Sequence, residues 1–210
     1  MAVPLVETGL VWNIQCDTYR REMERYGANT ISVVEDFFCI DSEFIIHLLL
    51  QLNDDNLEQQ RWKLALTLID SFLSAFSFDL SGKKELLNTM ADNYKKEFGF
   101  THQQAKKQLD NKFRTYRKEI ESAMLWENET SETINIIKTR RLAILPIARK
   151  LTAMEKSEEL QVSVNALLPI LIHMTMNRWF RTKNRLHEMV LYDFTSRHYT
   201  SENAKKKYNK

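Results

Sequence analysis

Residues 164–180 read VNALLPILIHMTMNRWF, and this stretch is apolar on nearly every side. A helix that is hydrophobic all round is buried inside a protein. We therefore predict a central, buried helix here, bent at Pro169 because proline removes a helical hydrogen-bond donor. His173 and Asn177 are four residues apart and share a helix face, whereas Arg178 points about a quarter turn away. Burying these groups costs free energy unless each finds a partner, and by spacing alone a buried histidine is usually a hydrogen-bonded structural residue.

Outward from this helix, the chain from residue 29 onward predicts helices almost to its end. Only four glycines and three prolines occur, which argues against an all-β fold with its many tight turns. One amphipathic stripe recurs at three- and four-residue steps, and it consists of Trp62, Leu66, Ile69, Leu73 and Phe76. The predicted helices cover residues 29–39, a second stretch from 41 or 42 to about 52, and a third, which contains this stripe and ends at about 76. Further helices are predicted over residues 81–98, 101–126 and 184–198, and another begins at 131 and is kinked or split at Pro146.

Composition indicates an ordinary globular protein. The 210 residues are 43% hydrophobic and 28% charged, with a net charge of +2, so no large basic excess points to nucleic acid. We predict a single domain over residues 1–200 and a disordered basic tail over residues 201–210 (SENAKKKYNK). No apolar run reaches membrane-spanning length and no secretory signal is evident, which predicts a cytoplasmic protein. Cys16 and Cys39 are not in metal-ligand spacing, and both are expected to be buried.

The N-terminal part contains a dense polar cluster behind one candidate strand. Residues 9–15 (GLVWNIQ) alternate as a half-buried strand does, and residues 17–27 (DTYRREMERYG) follow. Five of the six residues from Arg20 to Arg25 are charged, a pattern that looks like a site. One strand cannot form a sheet alone. We therefore expect a mainly α, bundle-like module with one or two short N-terminal strands, forming the C-terminal part of a larger α+β domain.

Two motifs carry a resemblance to a known family. Residues 17–27 resemble the DTYxRExERYG signature of the C-terminal domain of lantibiotic dehydratases, a thiopeptide-type bacteriocin biosynthesis domain, and Asp41-Ser42 stands where that signature has an acidic-Ser step. Residues 172–180 (IHMTMNRWF) resemble the family's HMxxNRxF block. Thr175 stands where some relatives have a second histidine. The resemblance extends over nearly the whole chain.

The resemblance implies a two-stage dehydration of peptide Ser or Thr. A glutamylation domain transfers glutamate from glutamyl-tRNA to the hydroxyl, and this domain then eliminates glutamate to leave a dehydroamino acid. It implies that His173 and Arg25 line the pocket that handles the glutamyl ester, and we predict that both are catalytic. We also predict that the substrate-binding residues are Arg21, Tyr26, Asn177 and Arg178. His173 is the only suitable proton carrier in either motif, and Arg25 offers a bidentate fork for a carboxylate. The assignment of acid and base stays open.

The implied partners are the precursor peptide and a separate glutamylation domain or protein, and a homodimer is a further expectation. We expect activity to require the strands that precede this region in the family. No cofactor or metal is implied, since HExxH, CxxC and glycine-rich phosphate loops are absent from the sequence. Three alternatives stay open: pyridine-forming cycloaddition, aminoacyl-tRNA-dependent peptide extension, and a non-catalytic peptide-binding scaffold. The basic residues interleaved with Phe113 and Tyr116 favour a solvated helix face over a nucleic-acid site.

Overall fold

The computed structural model describes residues 18–52 and 57–208. The described chain is helical, as predicted, and no strand occurs within these residues. The strand predicted at residues 9–15 lies outside them. The helices are α1 (Met23–Tyr26), α2 (Ile31–Leu50), α3 (Leu57–Ala75), α4 (Leu80–Glu97), α5 (Gln103–Thr115), α6 (Arg117–Met124), α7 (Glu132–Lys156), α8 (Val164–Trp179) and α9 (Asn184–Tyr208), with a short 3-10 turn at Trp126–Asn128.

Helix α8 lies at the centre of the fold, as its sequence predicts. It contacts α2, α3, α4, α7 and α9, and half of its residues are buried. The helix begins after Ser163, whose hydroxyl accepts a hydrogen bond from the Ala166 amide at 3.3 Å. This cap satisfies one of the backbone donors that a helix start leaves unpaired. Side chains on α8 therefore reach several neighbouring helices at once.

Helix α2 corrects the predicted division of this region into two helices. It is continuous from Ile31 to Leu50, and Asp41, where the second helix was predicted to begin, lies inside it. The Asp41 carboxylate is fully buried and pairs with Arg140 on α7 at 2.5 Å. Cys39, predicted to be buried, is exposed on this helix.

Two other boundaries differ from the sequence-based prediction. The single helix predicted over residues 101–126 is divided at Tyr116 into α5 and α6. Helix α7 begins after Ser131, as predicted, and the Ser131 hydroxyl accepts a hydrogen bond from the Ile134 amide at 3.4 Å. Pro146 does not split α7, because buried Ile144 and Ile147 on either side hold this part of the helix against the core.

The C-terminal residues form part of α9. Residues 201–208, predicted to be a disordered tail, are helical in the structure. The Ser201 hydroxyl donates to the Arg197 carbonyl at 3.1 Å, and Lys205 pairs with Glu202 at 2.7 Å. These local contacts between residues three and four apart stabilise a helix that the polar composition did not suggest. None of the described helices is long and apolar enough to cross a membrane.

Candidate functional site

His173 lies on α8 with 22% of its side chain exposed, and both of its ring nitrogens have neighbours. Its Nδ1 is 2.9 and 3.0 Å from the two carboxylate oxygens of Glu188 on α9. Its Nε2 is 3.0 Å from the amide nitrogen of Asn177, one helical turn along α8. His173 therefore stands between a buried carboxylate and a side-chain amide.

The surroundings of Glu188 assign the tautomer of His173. Glu188 is fully buried and accepts hydrogen bonds from the hydroxyls of Tyr192 at 2.6 Å and Tyr94 at 3.1 Å. Burial, with the nearby Glu188 charge, raises the pKa of both phenols above their ordinary value, so they stay protonated donors. An ionised carboxylate only accepts hydrogen bonds, so Nδ1 of His173 carries the proton that points to Glu188. The Nε2 lone pair is then left toward Asn177 and the solvent side.

Glu188 is a residue of this site that the sequence analysis did not identify. Arg185 pairs with Glu97 on α4 and lies 5.2 Å from the ring centroid of Tyr94. The residue spacing along α9 nevertheless indicates that Glu188 is buried. Glu188 falls in register with the buried residues Tyr192, Thr195 and Tyr199, which recur at three- and four-residue steps.

An open cavity of about 480 Å³ adjoins His173. It is lined by His173, Asn177, Phe98, Lys183, Asn184, Arg185 and Leu186; we call it the His173 pocket. Lys183 lies in the turn between α8 and α9 at φ 53°, a left-handed conformation that costs free energy for a residue with a side chain. The pocket places two cationic side chains around a histidine whose tautomer is fixed, and such a site can receive a carboxylate.

The other predicted site residues form a second group on the α1–α2 side of the molecule. The Arg178 guanidinium donates to Asp41 at 3.3 Å and lies 4.8 Å from the centroid of the Phe38 ring. Tyr26, 1% exposed, packs edge-on against Phe38 at 5.6 Å between ring centroids. Arg25 pairs with Glu22 at 3.7 Å and lies 5.5 Å from the Tyr26 ring centroid. Arg21 pairs with Glu35 at 2.6 Å.

The structure thus joins the predicted residues into two groups. His173 and Asn177 are in contact. In the second group Tyr26 and Arg178 contact Phe38, Arg25 lies beside Tyr26, and Arg21 pairs with Glu35 on α2. His173 and Arg178 are five residues apart on one helix, so their side chains diverge by about 140°. Within the described part of the chain, His173 contacts Glu188, Tyr94 and Asn177 but not Arg25.

Thr175 occupies the position of the second histidine of some relatives and takes a structural role. Its hydroxyl accepts from Arg140 at 3.3 Å and donates to the Leu171 carbonyl at 3.2 Å. Arg140 is fully buried and also holds Asp41. Arg140 therefore links Asp41, the acidic residue that follows the first motif, to Thr175 in the second motif. Among the described residues, no group of His, Cys, Asp and Glu side chains is arranged to hold a metal ion.

Comparison with protein families assigns the chain. The family described as Lantibiotic biosynthesis dehydratase C-term matches residues 1–199. The chain belongs to this family. No curated protein and no solved structure matches it. Membership confirms the resemblance carried by the two motifs, and both groups of predicted residues lie within the matched range. The lantibiotic dehydratase C-terminal family is concerned with peptide modification, so the general function class is dehydration chemistry in lantibiotic biosynthesis.

Proposed function

We propose that this lantibiotic dehydratase C-terminal domain eliminates glutamate from glutamylated Ser or Thr residues of a precursor peptide. The observation that carries the proposal is the Glu188–His173 pair. His173 lines an open pocket that the cationic side chains of Lys183 and Arg185 also line. A histidine held by a carboxylate is a recurrent general base, because the carboxylate orients the ring and stabilises the imidazolium that forms.

In the proposed elimination, Nε2 of His173 takes the α proton of the modified residue. The electrons of that C–H bond form the Cα–Cβ double bond, and the bond from Cβ to the ester oxygen breaks. The electron pair leaves with the oxygen, so glutamate departs as a carboxylate. Buried Glu188 stabilises the positive charge that His173 gains, and Asn177, which contacts Nε2 in this structure, hydrogen-bonds the substrate. Atoms and charge balance without a cofactor.

The departing glutamate carries negative charge that the pocket must balance. We assign this role to Lys183 and Arg185, which line the His173 pocket. The resemblance assigns a carboxylate-binding role to Arg25, which lies in the α1–α2 group. We propose that Arg25, with Arg21, Tyr26 and Arg178, binds the substrate on that side. Half-exposed Arg25 is available for such contact.

The experiment is mass spectrometry of a synthetic glutamylated Ser peptide incubated with the chain. The chain is assayed alone and fused to the region that precedes this domain in the family. We expect the wild type to remove one glutamate and leave a dehydroalanine, and His173→Ala to leave the glutamylated peptide unchanged. His47→Ala, a change of an exposed histidine on α2, is the matched control and should retain activity. Loss of glutamate at equal rates in wild type and His173→Ala would overturn the assignment of His173.

The proposal also names partners. The glutamylated substrate must come from a separate activity that esterifies Ser or Thr with glutamate, so the proposed partners are the precursor peptide and a glutamyl-tRNA-dependent domain or protein. Because glutamyl-tRNA is a cytoplasmic molecule in bacteria, we propose a cytoplasmic location. Co-purification of a tagged chain with the precursor peptide tests the first partner.

A further inference from the structure

The turn that joins α1 to α2 follows Arg25 and Tyr26 directly and is tightly packed. Gly27 has φ 85°, a left-handed conformation that glycine adopts readily and other residues rarely do. A Cβ atom at Gly27 would lie 2.6 Å from Oγ1 of Thr30 and 3.4 Å from two atoms of Gln161. Thr30 is fully buried, and its hydroxyl donates to the Tyr26 carbonyl. The backbone after Arg25 therefore has one narrow path into α2.

Two hydrogen bonds attach this turn to the loop between α7 and α8, residues 157–163. The Ala28 amide donates to Oε1 of Gln161 at 2.6 Å, and the Asn29 side-chain amide donates to the Glu159 carbonyl. The partners are separated by 133 and 130 residues in the sequence. We call these two bonds the Gln161 latch. Through the latch, a distant loop determines where the α1–α2 turn lies.

The loop that carries Gln161 is itself held in place. Glu155 on α7 accepts a hydrogen bond from the backbone amide of Val164 on α8 at 2.8 Å, which ties the two ends of the loop together. Leu160 and Val162, on either side of Gln161, pack against the hydrophobic core. Gln161 therefore extends from a fixed backbone and gives the turn a firm support.

Helix α1 depends on support from its neighbours because it has only four residues, and an isolated helical turn is not stable in water. The buried ring of Tyr26 anchors its apolar side against Phe38. Arg25 is 40% exposed, and its ion pair with Glu22 lies within the same segment. Burial of Tyr26 fixes one side of α1, and the latch fixes the backbone that follows it. The position of Arg25 follows from both.

We propose that Gln161 is a positioning residue. By accepting the hydrogen bond from the Ala28 amide, it holds the α1–α2 turn so that Arg25 faces the peptide substrate. The substrate role of Arg25 rests on the proposed function. The effect of Gln161 on the turn does not, so the two ideas can fail separately.

The first test is hydrogen exchange followed by mass spectrometry for the wild type, Gln161→Met and Gln161→Glu. Methionine keeps the length of the side chain and removes the oxygen acceptor, whereas glutamate keeps an acceptor. We expect the amides of residues 23–31 to exchange about fivefold faster in Gln161→Met, the effect of losing one net hydrogen bond, and Gln161→Glu to stay near the wild type. Gln104→Met, at an exposed position on α5, is the matched control and should change nothing in this segment.

The second test measures binding without turnover. The probe is a peptide in which glutamate is joined through an amide to 2,3-diaminopropionate in place of serine, so that no ester can be eliminated. By isothermal titration calorimetry we expect Gln161→Met to raise Kd at least about twofold, because fewer molecules hold Arg25 in place, and Gln161→Glu to restore it. In an Arg25→Ala background Gln161→Met should have no further effect, since Gln161 acts through Arg25.

Three results would overturn the inference. They are equal exchange of residues 23–31 in the wild type and Gln161→Met, an unchanged Kd, and a rise in Kd of the same size with and without Arg25. A wild type that does not bind the amide-linked peptide would overturn the positioning role together with the substrate role of Arg25. A wild type that releases no glutamate from the ester peptide, yet shows the expected differences in Kd, would refute the proposed reaction and support the role of Gln161.

Discussion

Replacing Asp41 by Asn tests the buried ion pair that joins α2, α7 and α8. The Asp41 carboxylate and the Arg140 guanidinium are both fully buried, and one carboxylate oxygen lies 2.5 and 3.0 Å from two guanidinium nitrogens. Removing one partner of a buried pair leaves an uncompensated charge and costs about 3–5 kcal/mol. Arg178 is 3.3 Å away and partly exposed, so its share is small. We therefore expect Asp41→Asn to lower the free energy of unfolding by about 3–5 kcal/mol.

The assay is urea unfolding followed by circular dichroism for the wild type, Asp41→Asn, Arg140→Met and the double variant. If the two groups act as a pair, the double variant should lose less stability than the sum of the single variants. The control is Arg117→Ala, which removes an exposed pair with Glu121 at 3.0 Å and should cost about 0.5 kcal/mol or less. A loss of stability for Asp41→Asn as small as that of the control would show that the Asp41–Arg140 pair does not stabilise the fold.

Three further predictions concern the proton-transfer pair, a pH effect and a helix cap. Glu188→Gln should slow glutamate elimination at least about a hundredfold, because it removes the carboxylate that orients and stabilises His173, measured by peptide mass spectrometry; unchanged elimination would contradict this. Burial lowers the pKa of His198 from 6.5, so the unfolded chain binds the proton first and stability should fall as pH drops below about 6.5. His198→Gln should reduce that fall in the urea midpoint, and an identical pH profile would show that His198 contributes nothing. Ser131→Ala should cost about 1 kcal/mol by loss of the α7 cap, measured by thermal unfolding, with exposed Ser32→Ala on α2 as the control that should cost little.

Local patterns predicted much of the fold because helix formation depends on periodicity and capping. The all-round apolar stretch identified α8 as the centre, and Ser131 identified the start of α7. The continuity of α2 could not be predicted, because the burial of Asp41 depends on Arg140, which lies 99 residues away in the sequence. A carboxylate that looks like a cap from its neighbours is here one half of a core ion pair.

The candidate site was predicted where its residues are close in sequence. His173 and Asn177 are four apart on one helix, and the structure brings them together. Glu188 was not predicted, because its partners Tyr94 and His173 come from other helices. Arg25 and His173 were paired through the family resemblance alone, and the described structure places them in different groups. The residue spacing within one helical motif predicts which side chains lie together, whereas the number of residues between two motifs does not.

The role of His173 is tested most directly by measuring glutamate released from a glutamylated peptide whose modified serine carries deuterium at Cα. We expect that the wild type releases glutamate, that the dehydroalanine product has lost the deuterium, and that His173→Ala releases little or none while retaining its fold by circular dichroism. Glutamate release by folded His173→Ala at the wild-type rate would contradict the claim that His173, held by Glu188, removes the proton.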